Sequence, residues 1–236
     1  MAVRNILVVG ATGSGKSALC NVLTGTDVFR EGGYAVSETH NIQSSYFDWN
    51  GNKYCVVDTV GIGNTKQTMK EVVSIIKKEL KSMPGKIWQI LLVTDGRFSR
   101  EEIEIYNSVI NKFKESLVTI VRSKFGDFRN EVECKNDRDV MLTNNDIAKI
   151  IKRRKVIHVD NPPINIICNS NDETDDETDE NEINTQNKVN KNTRIRSRII
   201  LMNYLDKLKP YFFHSQKKFI VQLWIILNFF KIINYG

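Results

Sequence analysis

At 236 residues, with 41% hydrophobic and 26% charged side chains, the chain is long enough for one α/β domain and a tail, and too balanced in composition for a disordered or fibrous protein. The modest formal charge of +6 calls for no nucleic-acid partner, but it hides two opposed blocks. Eight acidic residues and no basic one run from Asp172 to Glu182, then five basic residues and no acidic one from Lys188 to Arg198.

In chain order, Asn5–Val9 is a short apolar run before a glycine-rich loop and predicts a buried strand. A helix from about Lys16 to Thr24 follows, closed by Gly25. The stretch from Thr26 to Asn41 has two adjacent glycines and little periodicity, which predicts a loop. Ile42–Trp49 and Lys53–Asp58 flank Asn50-Gly51, a strong hairpin signal, so these two strands must pair antiparallel. Met69, Val72, Val73, Ile76, Leu80 and Met83 recur at helical spacing before Pro84-Gly85. Ile87–Val93 is another buried strand. Ser99 and Glu102 make a capping box that opens a helix with Ile103, Tyr106, Ile110 and Phe113 on one face. Leu117–Val121 is a fifth strand, and the polar region from Phe125 to Asn145 shows no clear period before a short helix to about Arg154. Val156–Val159 is a sixth strand, stopped by Asn161-Pro162-Pro163. Ile195, Ile199, Met202 and Leu205 predict a last amphipathic helix. Strands alternating with helices, plus one hairpin, give a mostly parallel six-stranded α/β sheet with one antiparallel edge strand and helices on both faces.

The chemistry is concentrated in Gly10-Ala11-Thr12-Gly13-Ser14-Gly15-Lys16-Ser17, which satisfies GxxxxGK[ST] between a predicted strand and a predicted helix. Glycines let backbone N–H groups wrap a phosphate, and the helix start, through Ala18, adds the positive end of its dipole. Lys16 has the length to reach β- and γ-phosphates, and the Ser17 hydroxyl can bind Mg2+. Asp58-Thr59-Val60-Gly61 closes the third strand, where Asp58 can hold Mg2+ and the Gly61 N–H can touch a γ-phosphate. In the loop before the hairpin, Ser37 and Thr39 are hydroxyls able to complete the magnesium shell, and Thr39 is preferred.

The segments GATGSGKSALCNVLTG, DTVGIGNT and Gly96-Arg97-Phe98-Ser99-Arg100-Glu101-Glu102 resemble the immunity-associated nucleotide-binding GTPases, the GIMAP or IAN family with its AIG-type G domain. The resemblance covers roughly Asn5 to Pro163 and reaches the helix near Ile195 to Leu208. It implies a P-loop NTPase G domain that binds GTP and GDP with Mg2+ and pairs through its nucleotide-facing side as a homodimer or oligomer. It implies further that Arg122 stands where other GTPases carry the Asn or Thr of a base-reading [NT]KxD motif, and that Asn161, after the sixth strand, helps hold guanine. The Lys-x-Asp continuation is not matched cleanly, because Asp127 comes late in Val121-Arg122-Ser123-Lys124-Phe125-Gly126-Asp127. Ile62 follows Gly61 where Ras-like enzymes carry a water-orienting Gln, so slow hydrolysis is expected and no catalytic residue is assigned. Arg97 reads as a surface residue.

The expected organisation is a G-domain core over 1–168, an acidic disordered insertion over 169–192, a C-terminal helix over 193–209 and a hydrophobic tail over 210–236. Phe219–Phe230 is too short to span a bilayer at 1.5 Å per residue. An interfacial anchor beside Lys217, Lys218 and Lys231 competes with translated A/T-rich sequence of no selected function. Cys20, Cys55, Cys134 and Cys168 are far apart without a CxxC, which argues against a zinc site and for a reducing compartment. With no secretory signal at the N-terminus, the expected location is cytoplasmic, with membrane association through the tail as an option. Two functional classes follow: a slow GTPase switch, and a GTP-gated self-assembling scaffold with negligible turnover. An ATP-using phosphotransferase is weaker, since no acceptor-binding pattern stands out.

Overall fold

The computed structural model describes residues 3–32, 43–59, 86–100, 102–103, 106–107, 115–166 and 177–208. Its sheet has six strands: β1 Arg4–Gly10, β2 Gln43–Trp49, β3 Asn52–Asp58, β4 Lys86–Thr94, β5 Val118–Arg122 and β6 Val156–His158. Their order is β2-β3-β1-β4-β5-β6, parallel throughout except for the β2–β3 hairpin at one edge. Asn50 and Gly51 both take positive φ, 48° and 73°, as the predicted tight turn requires.

Both faces are covered, and the two periods in the sequence explain how. Alternate residues of the central strands point to opposite sides, so Leu7, Val9, Cys55, Val57, Ile90, Leu92, Val118 and Ile120 meet one layer. That layer includes Tyr106, α2 (Glu131–Thr143) through Met141, and α3 (Asn145–Ile151) through Ile150 and Ile151. On the other side Ile6, Val8, Val56, Leu91, Val93 and Val121 pack against α1 (Lys16–Thr24) and α4 (Glu177–Lys207). Leu19, Leu23, Leu201, Met202 and Leu205 are fully buried there, each contributing about 1.5–3 kcal/mol relative to exposure.

Three expectations are corrected. The region from Phe125 to Asn145 holds α2, and Asn130 and Asn144 cap α2 and α3 by accepting from the first free amides of each helix. The last helix starts at Glu177 instead of near residue 193, so the segment expected to be disordered is helical from Glu177 on. Its buried face differs in its first half only, since Met202 and Leu205 are buried as expected. Ile195 and Ile199 are 55% and 44% exposed, whereas Asn190, Arg194 and Ser197 lie inward in line with Leu201 and Leu205. A face that begins polar has no apolar period to detect. The expected helix over Met69–Met83 and the tail from 210 lie outside the described residues, and no described helix is long and apolar enough to cross a membrane.

Candidate functional site

Central β1 has β3 on one side and β4 on the other, so successive connections leave it in opposite directions. That reversal opens a crevice at the carboxyl ends of the strands, the usual ligand position in an open α/β sheet. The loop from Gly10 to Gly15 crosses this end. Asp58 closes β3 beside it, Asp95 follows β4, Ser123 follows β5, and Asn161 lies three residues beyond β6.

The loop leaves β1 at Gly10, turns through Ala11, Thr12, Gly13 and Ser14, and enters α1 at Lys16, with Ser17 and Ala18 in its first turn. Gly15 caps α1 in the left-handed region, φ 89°, which an L side chain rarely adopts. The free amides of the α1 N-terminus therefore open onto the crevice. Lys16 is buried, and its Nζ donates to Ala11 O at 2.8 Å, folding the ammonium over the loop. Burial pulls its pKa below the ordinary lysine value, and the nearby Asp58 carboxylate opposes that fall.

Ser17 Oγ donates to Asp58 Oδ2 at 2.7 Å. Asp58 is fully buried, and its other oxygen, Oδ1, has no hydrogen-bond partner among the described residues. Burial raises the Asp58 pKa, and Ser17 and Lys16 offset this only in part. A half-buried hydroxyl beside a buried carboxylate with one orphaned oxygen, at the end of a phosphate loop, suits a hard divalent cation that takes oxygen ligands. Thr59 Oγ1 donates to Val8 O at 2.7 Å and ties the end of β3 to β1. Thr39 and Gly61, the other expected contacts, lie outside the described residues.

At the carboxyl end of β5 the side chains that hydrogen-bond the Gly10–Gly15 loop are Ser123 and Lys124, the two residues after Arg122. Arg122 Nη1 donates to Asp95 O and to Ser123 O, and its Nε lies 3.5 Å from Asp137 Oδ2. Gly96 (φ 88°) packs directly on it, and a Cβ there would stand 2.6 Å from the guanidinium carbon. Arg122 is thus a brace between β5, the β4 loop and α2. Ser123 Oγ donates to Ser14 O at 2.6 Å, and Lys124 Nζ donates to Gly13 O at 2.8 Å. With Lys124 as the lysine of a Lys-x-Asp sequence, position 126 is glycine where the carboxylate is due. The dipeptide Ser123-Lys124 was readable as the signal, had the arginine before it not matched the resemblance.

Asn161 follows β6, and both its side-chain oxygen and its nitrogen are buried without a partner among the described residues. A buried amide with neither end satisfied fits a polar ligand edge.

A supporting cluster was missed as well. The capping box forms, with Glu102 N on Ser99 Oγ at 3.2 Å and Ser99 N on Glu102 Oε2 at 3.0 Å. The single Tyr106 O–H is shared between the second Glu102 oxygen at 2.8 Å and Val93 O at 2.7 Å. Burial raises the Tyr106 pKa strongly; Glu102 adds to the rise, and a hydrogen bond with the Ala11 backbone opposes it. The motif over Gly96–Glu102 therefore props the phosphate loop from beneath. Arg97 is 73% exposed and paired with Asp95, as a surface residue would be.

Comparison with known proteins places this geometry. The sequence profile of the AIG1 family matches residues 4–163. Immune-associated nucleotide-binding protein 7 of Arabidopsis thaliana is 28% identical over 166 residues, 66% of this chain. The chain spans 53% of the length of that relative. Among solved structures, one of the chloroplast translocon components atToc33 and psToc159, described as GTPases whose dimerization is important for activity, covers 82% of this chain and 84% of its own. It is 19% identical with a TM-score of 0.54. Era in complex with MgGDPNP and a 16S ribosomal RNA segment covers 92% of this chain and 61% of its own, at 17% identity and a TM-score of 0.57. At these identities the two structures establish the fold.

Proposed function

The chain belongs to the AIG1 family, and from that premise we propose that it binds GTP and GDP with Mg2+ and acts as a switch that hydrolyses GTP slowly. The observation that carries the reading is the Ser17–Asp58 hydrogen bond of 2.7 Å beneath the Lys16 loop. The amides from Gly10 to Ala18 cradle the phosphates, and Lys16 leaves Ala11 O to reach the β- and γ-phosphates. Ser17, Thr39 and Asp58 would be the residues to hold Mg2+, and Gly61 would offer its amide to the γ-phosphate. A cation held by these residues would supply neutralisation of phosphate charge. Asn161 holds guanine, while Ser123 and Lys124 fix the loop that faces it. The site of action is the cytosol, which fractionation of the full chain tests.

Titration with labelled GTP and ATP, with and without Mg2+, tests the assignment. GTP binds more tightly than ATP, and Lys16→Ala and Ser17→Asn lose binding. Equal or tighter ATP binding would sink it.

A second reading draws on the structural neighbour whose dimerization is tied to its GTPase activity. Here GTP orders the segment carrying Thr39 and the segment after Asp58, and two copies pair across their nucleotide faces. Light scattering with a non-hydrolysable GTP analogue or with GDP decides. A strictly monomeric chain in both states at about 100 µM leaves the plain switch.

A further inference from the structure

Three polar side chains occupy the inner face of α4 where a core helix ordinarily carries apolar ones. Asn190, Arg194 and Ser197, at spacings of four and three, are 5%, 7% and 0% exposed. Arginine is almost never buried without a partner, and here each of the three residues sends a hydrogen bond to one short segment. Ser197 Oγ donates to Asp160 O at 2.7 Å and accepts from Asp160 N at 3.1 Å. Arg194 Nε donates to Pro162 O at 2.7 Å, and Asn190 Nδ2 donates to Pro163 O at 2.6 Å. The backbone is therefore pinned on both sides of Asn161, the one residue of the four whose side chain is buried without a partner among the described residues.

The other end of the Arg194 fork reaches a second loop. Its Nη1 and Nη2 donate to Glu31 Oε1 and Oε2 at 2.7 and 2.6 Å, a bidentate pair. Glu31 Oε1 also accepts from Asn21 Nδ2 at 2.7 Å on α1, and Asn21 holds Phe29 through both its amide ends. Glu31 thus roots the loop that follows α1. The guanidinium joins Glu31 to the backbone of Pro162.

We propose that Arg194 is a positioning residue that couples the loop rooted at Glu31 to the loop presenting Asn161, so that base recognition depends on how the first loop is held. The proposal rests on Asn161 being the guanine contact. A planar guanidinium supplies donors to both loops at fixed angles, which a lysine ammonium cannot do. Coupling of this kind is reciprocal: whatever orders the Glu31 loop tightens base binding, and base binding steadies that loop.

The test uses the full chain with three probes: MgGDP, MgADP and inorganic tripolyphosphate. Arg194→Lys weakens GDP at least tenfold and leaves tripolyphosphate within about threefold, so that the GDP-to-ADP ratio collapses. Glu31→Gln, which is far milder for folding, lowers the same ratio in the same direction. In Arg194→Lys/Glu31→Gln the losses are less than additive, because the second change acts through the first. Equal losses for GDP and tripolyphosphate would mark a general structural role and overturn the proposal, as would an unchanged GDP-to-ADP ratio in Glu31→Gln. A wild-type chain that binds tripolyphosphate but does not prefer GDP to ADP would overturn instead the guanine reading on which the proposal rests.

Discussion

Ser17 and Asp58, 41 residues apart in the chain, meet at 2.7 Å where α1 begins and β3 ends. The pair brings a half-buried hydroxyl against a buried carboxylate beside Lys16, and leaves Asp58 Oδ1 without a hydrogen-bond partner among the described residues. It is the part of the site with the least dependence on any loop.

Magnesium dependence should therefore follow the ionisation of Asp58. Burial raises its pKa, so the proton is held more tightly in the folded chain than in the unfolded one. In the nucleotide-free protein that contribution to stability is fullest below the unfolded pKa and is lost as pH rises through the folded one. Metal binding runs the opposite way, since it needs the carboxylate. Magnesium-assisted nucleotide affinity is expected to be full near neutral pH and to fall with acidity earlier than an ordinary aspartate would dictate. Asp58→Asn should remove at least about tenfold in affinity, or ~1.4 kcal/mol, with Mg2+ present and little in chelator. Calorimetry across pH checks both.

Hydrolysis by the isolated chain should be about 10⁻³ s⁻¹ or slower, because Ile62 offers no group to orient water after Gly61. Single-turnover assays at low protein concentration measure it. A rate above about 1 s⁻¹ would mean that a catalytic group has been overlooked.

Base discrimination should be improvable at one position. Lys124 anchors to Gly13 O, and two residues on, Gly126 has open space around the site of a Cβ. Gly126→Asp restores a carboxylate for the guanine N1–H and 2-amino group. The preference for GDP over IDP, which lacks that amino group, is expected to rise about tenfold in competition binding. A ratio identical to wild type would place the base elsewhere.

At the opposite end of the sheet, Asp206 locks α4 to β1 and the hairpin. It accepts from Arg4, Tyr54, Asn52 and Asn50 at 3.0, 3.0, 3.1 and 3.3 Å. Partial burial pushes its pKa up, but hydrogen bonds from Asn50, Tyr54 and Arg4 outweigh that and hold it below the ordinary value. A depressed carboxylate stabilises above its unfolded pKa, and the benefit is lost as pH falls through the folded one. Asp206→Ala should cost about 1–3 kcal/mol in urea unfolding at neutral pH, with the loss fading in acid.

The sequence by itself determined what depends on neighbours in the chain. Gly10–Ser17 carries its own backbone geometry, Asn50-Gly51 its own turn, and Ser99 with Glu102 its own cap, because each is satisfied within a few residues. Apolar strands next to these signals left little freedom in the sheet. Tertiary structure alone decided which polar side chains are turned inward. Arg122 against Ser123 and Lys124 is a one-residue register, and it is resolved only because Gly96 makes room for a guanidinium on one side while the Gly13 and Ser14 carbonyls wait on the other. Asn190, Arg194 and Ser197 look like a solvated face until their partners arrive from residues 31 and 160–163. Burying a polar group is favourable only where distant atoms satisfy it, and hydrophobic periodicity carries no record of those atoms.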